Sequence, residues 1–216
     1  MTNDELRGSV SDELHWDPKI DNDAIAVSAA DGVVTLRGTV GSLRQKREAK
    51  KAAERVYGVA RVENQLQVRL MDSDERADAD LRGDVLQALM LDALVPSTVD
   101  ARVAEGFVTL TGHTEWRYQR EEADTVAANV RGVAEVVNDI IITGPNPRAT
   151  DVRHAIGKAF KRNAKLDADQ LSIETEDGTV TLEGTVRSWA EHDDAVDAAW
   201  AAPGVRDVKD HILVAY

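Results

Sequence analysis

There is no cysteine in the 216 residues. Disulfides, thiolate nucleophiles and cysteine-based zinc sites are therefore excluded together. No run of about 18 apolar residues occurs, so no membrane-spanning helix is expected. The opening stretch MTNDELRGSV carries neither a basic segment nor an apolar one, so no secretory signal is read there and a cytoplasmic location is expected. Positive charge is also short. The net charge of −13 disfavours nucleic acid, whose backbone needs a basic footprint, and disfavours adhesion of the chain as a whole to an anionic membrane.

The signatures of catalysis are missing too. There is no phosphate-cradling G-x-x-x-x-G-K-[ST], no G-x-G-x-x-G after a strand and no nucleophile elbow. His15, His113, His154, His192 and His211 are scattered and form no H-x-x-x-H pair. DSDERADAD, at 72–80, lacks the central glycine and terminal glutamate of a calcium loop and reads as a solvated acidic linker. Carboxylates are plentiful, but an acid/base pair needs a pocket that separates two pKa values, and small repeats leave little room for one. The expectation is a protein that is not an enzyme and uses no cofactor and no metal.

What the chain does have is repetition. DGVVTLRGTV at 31–40 returns as EGFVTLTGHT at 105–114 and DGTVTLEGTV at 177–186. The turn glycines Gly32, Gly106 and Gly178 are each followed, 26 residues later, by Gly58, Gly132 and Gly204. Two markers at one fixed separation define a unit used three times, which we place at residues 1–70, 77–143 and 149–216.

Each copy reads α-β-β-α-β. A first helix is marked at helical spacing by Leu6, Val10 and Leu14, by Leu81, Val85 and Leu89, and by Val152, Ile156 and Phe160. A short strand follows, at Ile25 and Val27, at Val99, and at Leu171 and Ile173. An Asp-Gly or Glu-Gly hairpin comes next. The quoted strand alternates, with Val34, Leu36, Val108, Leu110, Val180 and Leu182 inward and threonines or charges outward.

The second helix carries a narrow stripe of small residues: Ala49, Ala52 and Ala53; Ala123 and Ala127; Ala195, Ala198 and Ala199. Gly58, Gly132 and Gly204 are expected to cap its end. A last strand holds Val62 and Leu66, Val136 and Ile140, or Val208 and Ile212. The expected fold class is α+β, in three tandem units. Each should be a three-stranded mixed sheet with two helices on one face, its hairpin pair antiparallel and its crossover pair parallel.

These residues make the chain resemble three tandem BON domains. The resemblance rests on the three repeated strands, the alanine-striped helix, and YGVARVENQL, RGVAEVVNDI and PGVRDVKDHI after it. The third copy has Asp210 where the others have Asn64 and Asn138. The resemblance implies a non-catalytic module that binds phospholipid or envelope surfaces in bacterial stress adaptation. A protein-interaction or chaperone-like scaffold is one alternative. A potassium or other small-ion sensor is another, because one relative pairs a BON domain with LysM, which is not seen here.

Charge is distributed unevenly. The first unit is neutral, residues 71–148 carry −8 and residues 149–216 carry −5. The first unit's second helix concentrates Arg44, Lys46, Arg47, Lys50, Lys51 and Arg55 against Glu48 and Glu54, whereas EHDDAVDAAW in the third unit is acidic. Those six cations are the candidate contact with an anionic phospholipid surface. The same helix could instead dock an acidic unit of its own chain or of a protein partner. Trp16, Trp116, Trp189 and Trp200 lie in or near helix ends and are read as packing between units.

Overall fold

The structure, a computed structural model, describes residues 1–70, 76–144, 149–163 and 170–215. Residues 72–75 of the acidic stretch at 72–80, and 145–148 of the proline-containing stretch TGPNPRAT at 143–150, lie outside the described residues; Asp78–Asp80 belong to a helix and not to a linker, because their carboxylates suit a helix start.

The first copy runs α1 (Asn3–Trp16), β1 (Ile25–Ala30), β2 (Val33–Val40), α2 (Leu43–Glu54) and β3 (Arg61–Val68). The second runs α3 (Asp78–Leu91), β4 (Asp100–Ala104), β5 (Phe107–Thr111), β6 (His113–Thr114), α4 (Arg117–Ala128), β7 (Glu135–Asn138) and β8 (Ile141–Ile142). The third runs α5 (Ala149–Arg162), β9 (Leu171–Glu176), β10 (Thr179–Val186), α6 (Trp189–Trp200) and β11 (Asp207–Val214).

Each copy forms the expected mixed sheet. β1 pairs antiparallel with β2, and β2 pairs parallel with β3, aligning Leu36 with Asn64. β4, β5 and β7 repeat this order, as do β9, β10 and β11. The hairpins turn through residues with positive φ at both central positions: Asp31 at 49° and Gly32 at 79° in the first copy. That is the twist a two-residue hairpin needs to match its strands.

The strand repeat also hides a second requirement. Gly38, Gly112 and Gly184 lie at φ 126°, 119° and 140°, and a Cβ there would overlap the carbonyl oxygen of Ala24, Thr98 or Gln170. In the second copy the strand is interrupted at this glycine, so the expected single strand over 105–114 is divided into β5 and β6.

One glycine assignment is corrected. Gly58 and Gly204 do not cap their helices. α2 ends at Glu54 with Arg55 as its C-cap, and α6 ends at Trp200 with Ala201 as its C-cap. Both glycines do take positive φ, 91° and 83°, but in the following turn, where Val59 N–H donates to Val56 and Val205 N–H donates to Ala202. The sequence marks the turn correctly and misplaces the helix end, because the chain makes an extra turn before the next strand.

The cores follow the pattern. Leu6, Val10 and Leu14 of α1 and Ala49, Ala52 and Ala53 of α2 close over Val34, Leu36 and Leu66. The alanines let α2 lie close on the sheet, since no long side chain holds the backbone away. By its contacts the chain divides into two compact units: residues 1–114 with 118–141, and residues 115–117 with 142–216. The first two copies thus share one unit, and the third copy builds its own core from Val152, Ile156, Phe160, Val180, Leu182, Ala195 and Ala199.

Candidate binding surface

The basic helix α2 begins with a reciprocal cap. Ser42 Oγ accepts from Gln45 N–H at 3.3 Å, and Gln45 Oε1 accepts from Gly41 N–H at 3.2 Å. This satisfies backbone donors at the helix start, and burial of the alanine stripe sets which face meets the sheet. The alanine stripe then faces the sheet, and the six candidate cations are distributed over the remaining surface.

They do not act as one patch. Lys46 Nζ lies 2.7 Å from Glu135 Oε2 of the second copy, and Arg47 Nη1 lies 2.5 Å from Asp124 Oδ2 on α4. Beside them Leu43 is 2% exposed and sits in the core of the second copy, with Leu81, Val108 and Ala123. Arg55 reaches back to α1, donating to Glu13 at 3.0 Å and to Asp17 at 3.1 Å. Lys50 pairs with Glu54 along the helix at 3.3 Å, and Lys51 lies 3.9 Å from Glu48. Arg44 is exposed, with no ionic partner among the described residues.

The charges that meet here are opposite in sign and belong to copies of opposite character. The neutral first copy presents its cationic helix, and the strongly acidic second copy supplies Glu135 and Asp124. Of the two roles expected for α2, docking onto an acidic unit of its own chain is therefore present for Lys46 and Arg47. Arg44, Lys50 and Lys51 remain on the exposed side.

Sequence reasoning missed Leu43, which drives the docking by burial. The signal was available: an apolar residue in the first turn of α2, off the alanine stripe, has no place in its own copy's core. It also missed the α5 surface, whose composition, RHAIGKAFKR, is as basic as that of α2.

The third copy resolves the departure at Asp210. In the first two copies the asparagine amide donates to a backbone carbonyl, Asn64 to Lys46 at 2.7 Å and Asn138 to Arg120 at 2.9 Å. A carboxylate cannot make that donation. Asp210 instead meets the side chain of the residue at the equivalent position, His192, whose Nε2 lies 2.7 Å from Oδ2. The other function of the position is kept, since Oδ1 accepts from Ile212 N–H as Asn64 Oδ1 accepts from Leu66 N–H. His192 also packs edge-on against Trp189, with ring centroids 4.7 Å apart. Among the described residues no group of three or more His, Asp or Glu could hold a metal ion.

The BON domain profile matches residues 2–69, 77–144 and 149–216, each spanning one α-β-β-α-β copy. The chain belongs to the BON domain family. It is 36% identical over 123 residues to osmotically-inducible protein Y of Escherichia coli K12, covering 54% of this chain and 60% of that protein. It is 30% identical over 122 residues to an uncharacterized protein in the gshII 5' region of Anaplasma centrale, covering 54% of this chain and 81% of that one. The BON chain thus spans less than two thirds of the first of these relatives. Among solved structures, CdsD, a structural protein of the type III secretion system of Chlamydia trachomatis, aligns over 98% of this chain and 92% of its own. Its identity is 15% and its TM-score 0.28. Among the described residues, no helix of this BON protein is long and apolar enough to cross a membrane.

Proposed function

We propose that the chain is a non-catalytic binding protein that associates peripherally with anionic phospholipid surfaces of the bacterial envelope during osmotic stress. The observation that carries this reading is the use of the BON unit three times in a chain similar to an osmotically-inducible protein. The contact proposed is the exposed part of α2: Arg44, Lys50 and Lys51. The pairs Lys50–Glu54 and Lys51–Glu48 lie along one helix at the surface, where such pairs are worth about 0.3–0.5 kcal/mol. A lysine or arginine near an anionic bilayer gains about 1 kcal/mol, so these cations can turn to a membrane without unfolding anything.

The test is co-sedimentation of the whole chain with anionic and neutral vesicles at low and high salt. A variant combining Arg44→Glu, Lys50→Glu and Lys51→Glu is measured beside it, with Lys46 and Arg47 kept to preserve the docking of the first two copies. Pelleting with anionic vesicles at low salt, lost in the variant, supports the reading. Equal pelleting of both proteins removes α2 as the contact, and no pelleting removes the phospholipid reading.

A second reading, a protein-interaction scaffold, is favoured by one observation. Through Leu43, Lys46 and Arg47 the flank of α2 already receives another folded unit. A concentration-dependent mass without any response to lipid is its mark.

A further inference from the structure

The helix layer of the third copy carries two surfaces of opposite sign side by side. α5 buries Val152, Ile156 and Phe160. The rest of its circumference presents Arg153, His154, Lys158, Lys161 and Arg162, all exposed, against one acid, Asp151. None of these five side chains has a hydrogen bond or ion pair among the described residues. That sets α5 apart from the basic helix α2, where four of the five cations between Leu43 and Glu54 have a carboxylate within 4.0 Å. A shallow groove runs along the outer side of α5, lined by Thr150, Arg153, His154, Gly157, Lys158 and Lys161. Its floor is Gly157, where a Cβ would meet nothing within 4 Å.

α6 lies beside α5 over the same core. It buries Ala195 and Ala199 and turns Asp193, Asp194 and Asp197 away from the sheet. The side chains of Asp193 and Asp197 are 70% and 74% exposed. Their neighbours offset them only in part: His192 Nδ1 is 3.1 Å from Asp193, and Arg117 of the same compact unit is 3.7 Å from Asp197. The outward surface is therefore positive over α5 and negative over α6.

We propose that this helix layer is a self-association surface, and that its partner is the same layer of a second copy of this chain. A two-fold axis lying in the interface and running between the two helices places each α5 over the partner's α6. Every cationic row then meets an acidic one, which is the self-complementarity that an isologous contact requires. A membrane is a poorer match, because an anionic surface that reaches α5 also meets the aspartates of α6 a helix diameter away. Nucleic acid is disfavoured for the same reason. An α-helix of this length is about 21 Å long, so two neighbours offer roughly 400 Å² per partner, at the weak end of specific interfaces. Association should thus be weak, concentration-dependent and sensitive to salt.

The proposal uses no residue of α2, so its failure and that of the lipid reading are separable. The experiment is sedimentation velocity of the full chain over a wide concentration range at low and high salt. Two charge-reversal variants are measured alone and mixed: Lys158→Glu with Lys161→Glu, and Asp193→Lys with Asp197→Lys. Thermal melts confirm that each variant is folded. The wild type is expected to dimerise at low salt and dissociate at high salt. Each variant alone should associate at least tenfold more weakly, and the mixture should recover association. A wild type that stays monomeric at low salt and high concentration overturns the proposal. So does a dimer that neither reversal weakens, or a mixture no stronger than its parts. If Lys158→Glu with Lys161→Glu instead abolishes vesicle pelleting while the wild type stays monomeric, α5 is a lipid contact and the proposal is lost.

Discussion

Lys46 Nζ of the first BON copy lies 2.7 Å from Glu135 Oε2 of the second. With Arg47–Asp124 beside it and Leu43 buried at its foot, this pair welds the basic helix of one copy to the acidic copy that follows. The ion pairs choose the partner, and the leucine supplies most of the energy, because partly exposed pairs are worth little after screening.

Leu43→Ala should therefore cost more than losing both charges. Removing a fully buried leucine costs ~2–5 kcal/mol, whereas Lys46→Ala with Arg47→Ala should cost about 1–2 kcal/mol. Urea unfolding monitored by tryptophan fluorescence checks the order. In Leu43→Asp the single transition of the first two copies should separate into two.

His192 and Asp210 form a coupled pair in the third copy. His192→Ala should cost about 1–2 kcal/mol, because Asp210 loses its side-chain partner. Asp210→Asn should be nearly neutral, since its amide can donate to the His192 carbonyl as Asn64 does to Lys46. His192→Ala should then be milder in the Asp210→Asn background. A double-mutant cycle by chemical denaturation measures the coupling.

Gly184→Ala is expected to destabilise the third copy by ~2–4 kcal/mol. The new methyl would overlap the Gln170 carbonyl oxygen at a φ of 140°, which side chains rarely adopt. Gly157→Ala, in open space on α5, should instead stabilise by up to ~1 kcal/mol through helix propensity. Thermal melts of the two variants should move in opposite directions.

Asp17 gives the first copy an acid-sensitive contact. The backbone N–H of Lys19, and then Arg55, hold its carboxyl below the ordinary carboxylate range. A depressed folded value means that the stabilisation is fully present above the unfolded pKa of about 3.9 and is lost as pH falls through the folded value. The stability difference between wild type and Asp17→Asn should be constant from neutral pH down to about pH 5 and shrink below that. Urea melts across this range test it.

The repeating unit was legible in the sequence for a physical reason. Val34, Leu36, Ala49 and Ala53 follow periods of two and of 3.6 that only a half-buried strand and a sheet-facing helix satisfy. Asp31-Gly32 adds a turn with one sterically cheap geometry. Local chemistry of this kind depends on neighbours within a few residues, so element order, strand pairing and family could be read from the chain directly. The end of α2 was misread because Gly58 records a positive φ and not which turn holds it. What Lys46, Arg47 and Leu43 do was decided only by tertiary structure. Their partners Glu135, Asp124 and Leu81 stand 38 or more residues away in the chain, and a cation bears no mark that tells a membrane from a carboxylate. The same holds for α5 and α6: their opposite charges can be counted in sequence, but only the fold lays them side by side on one surface.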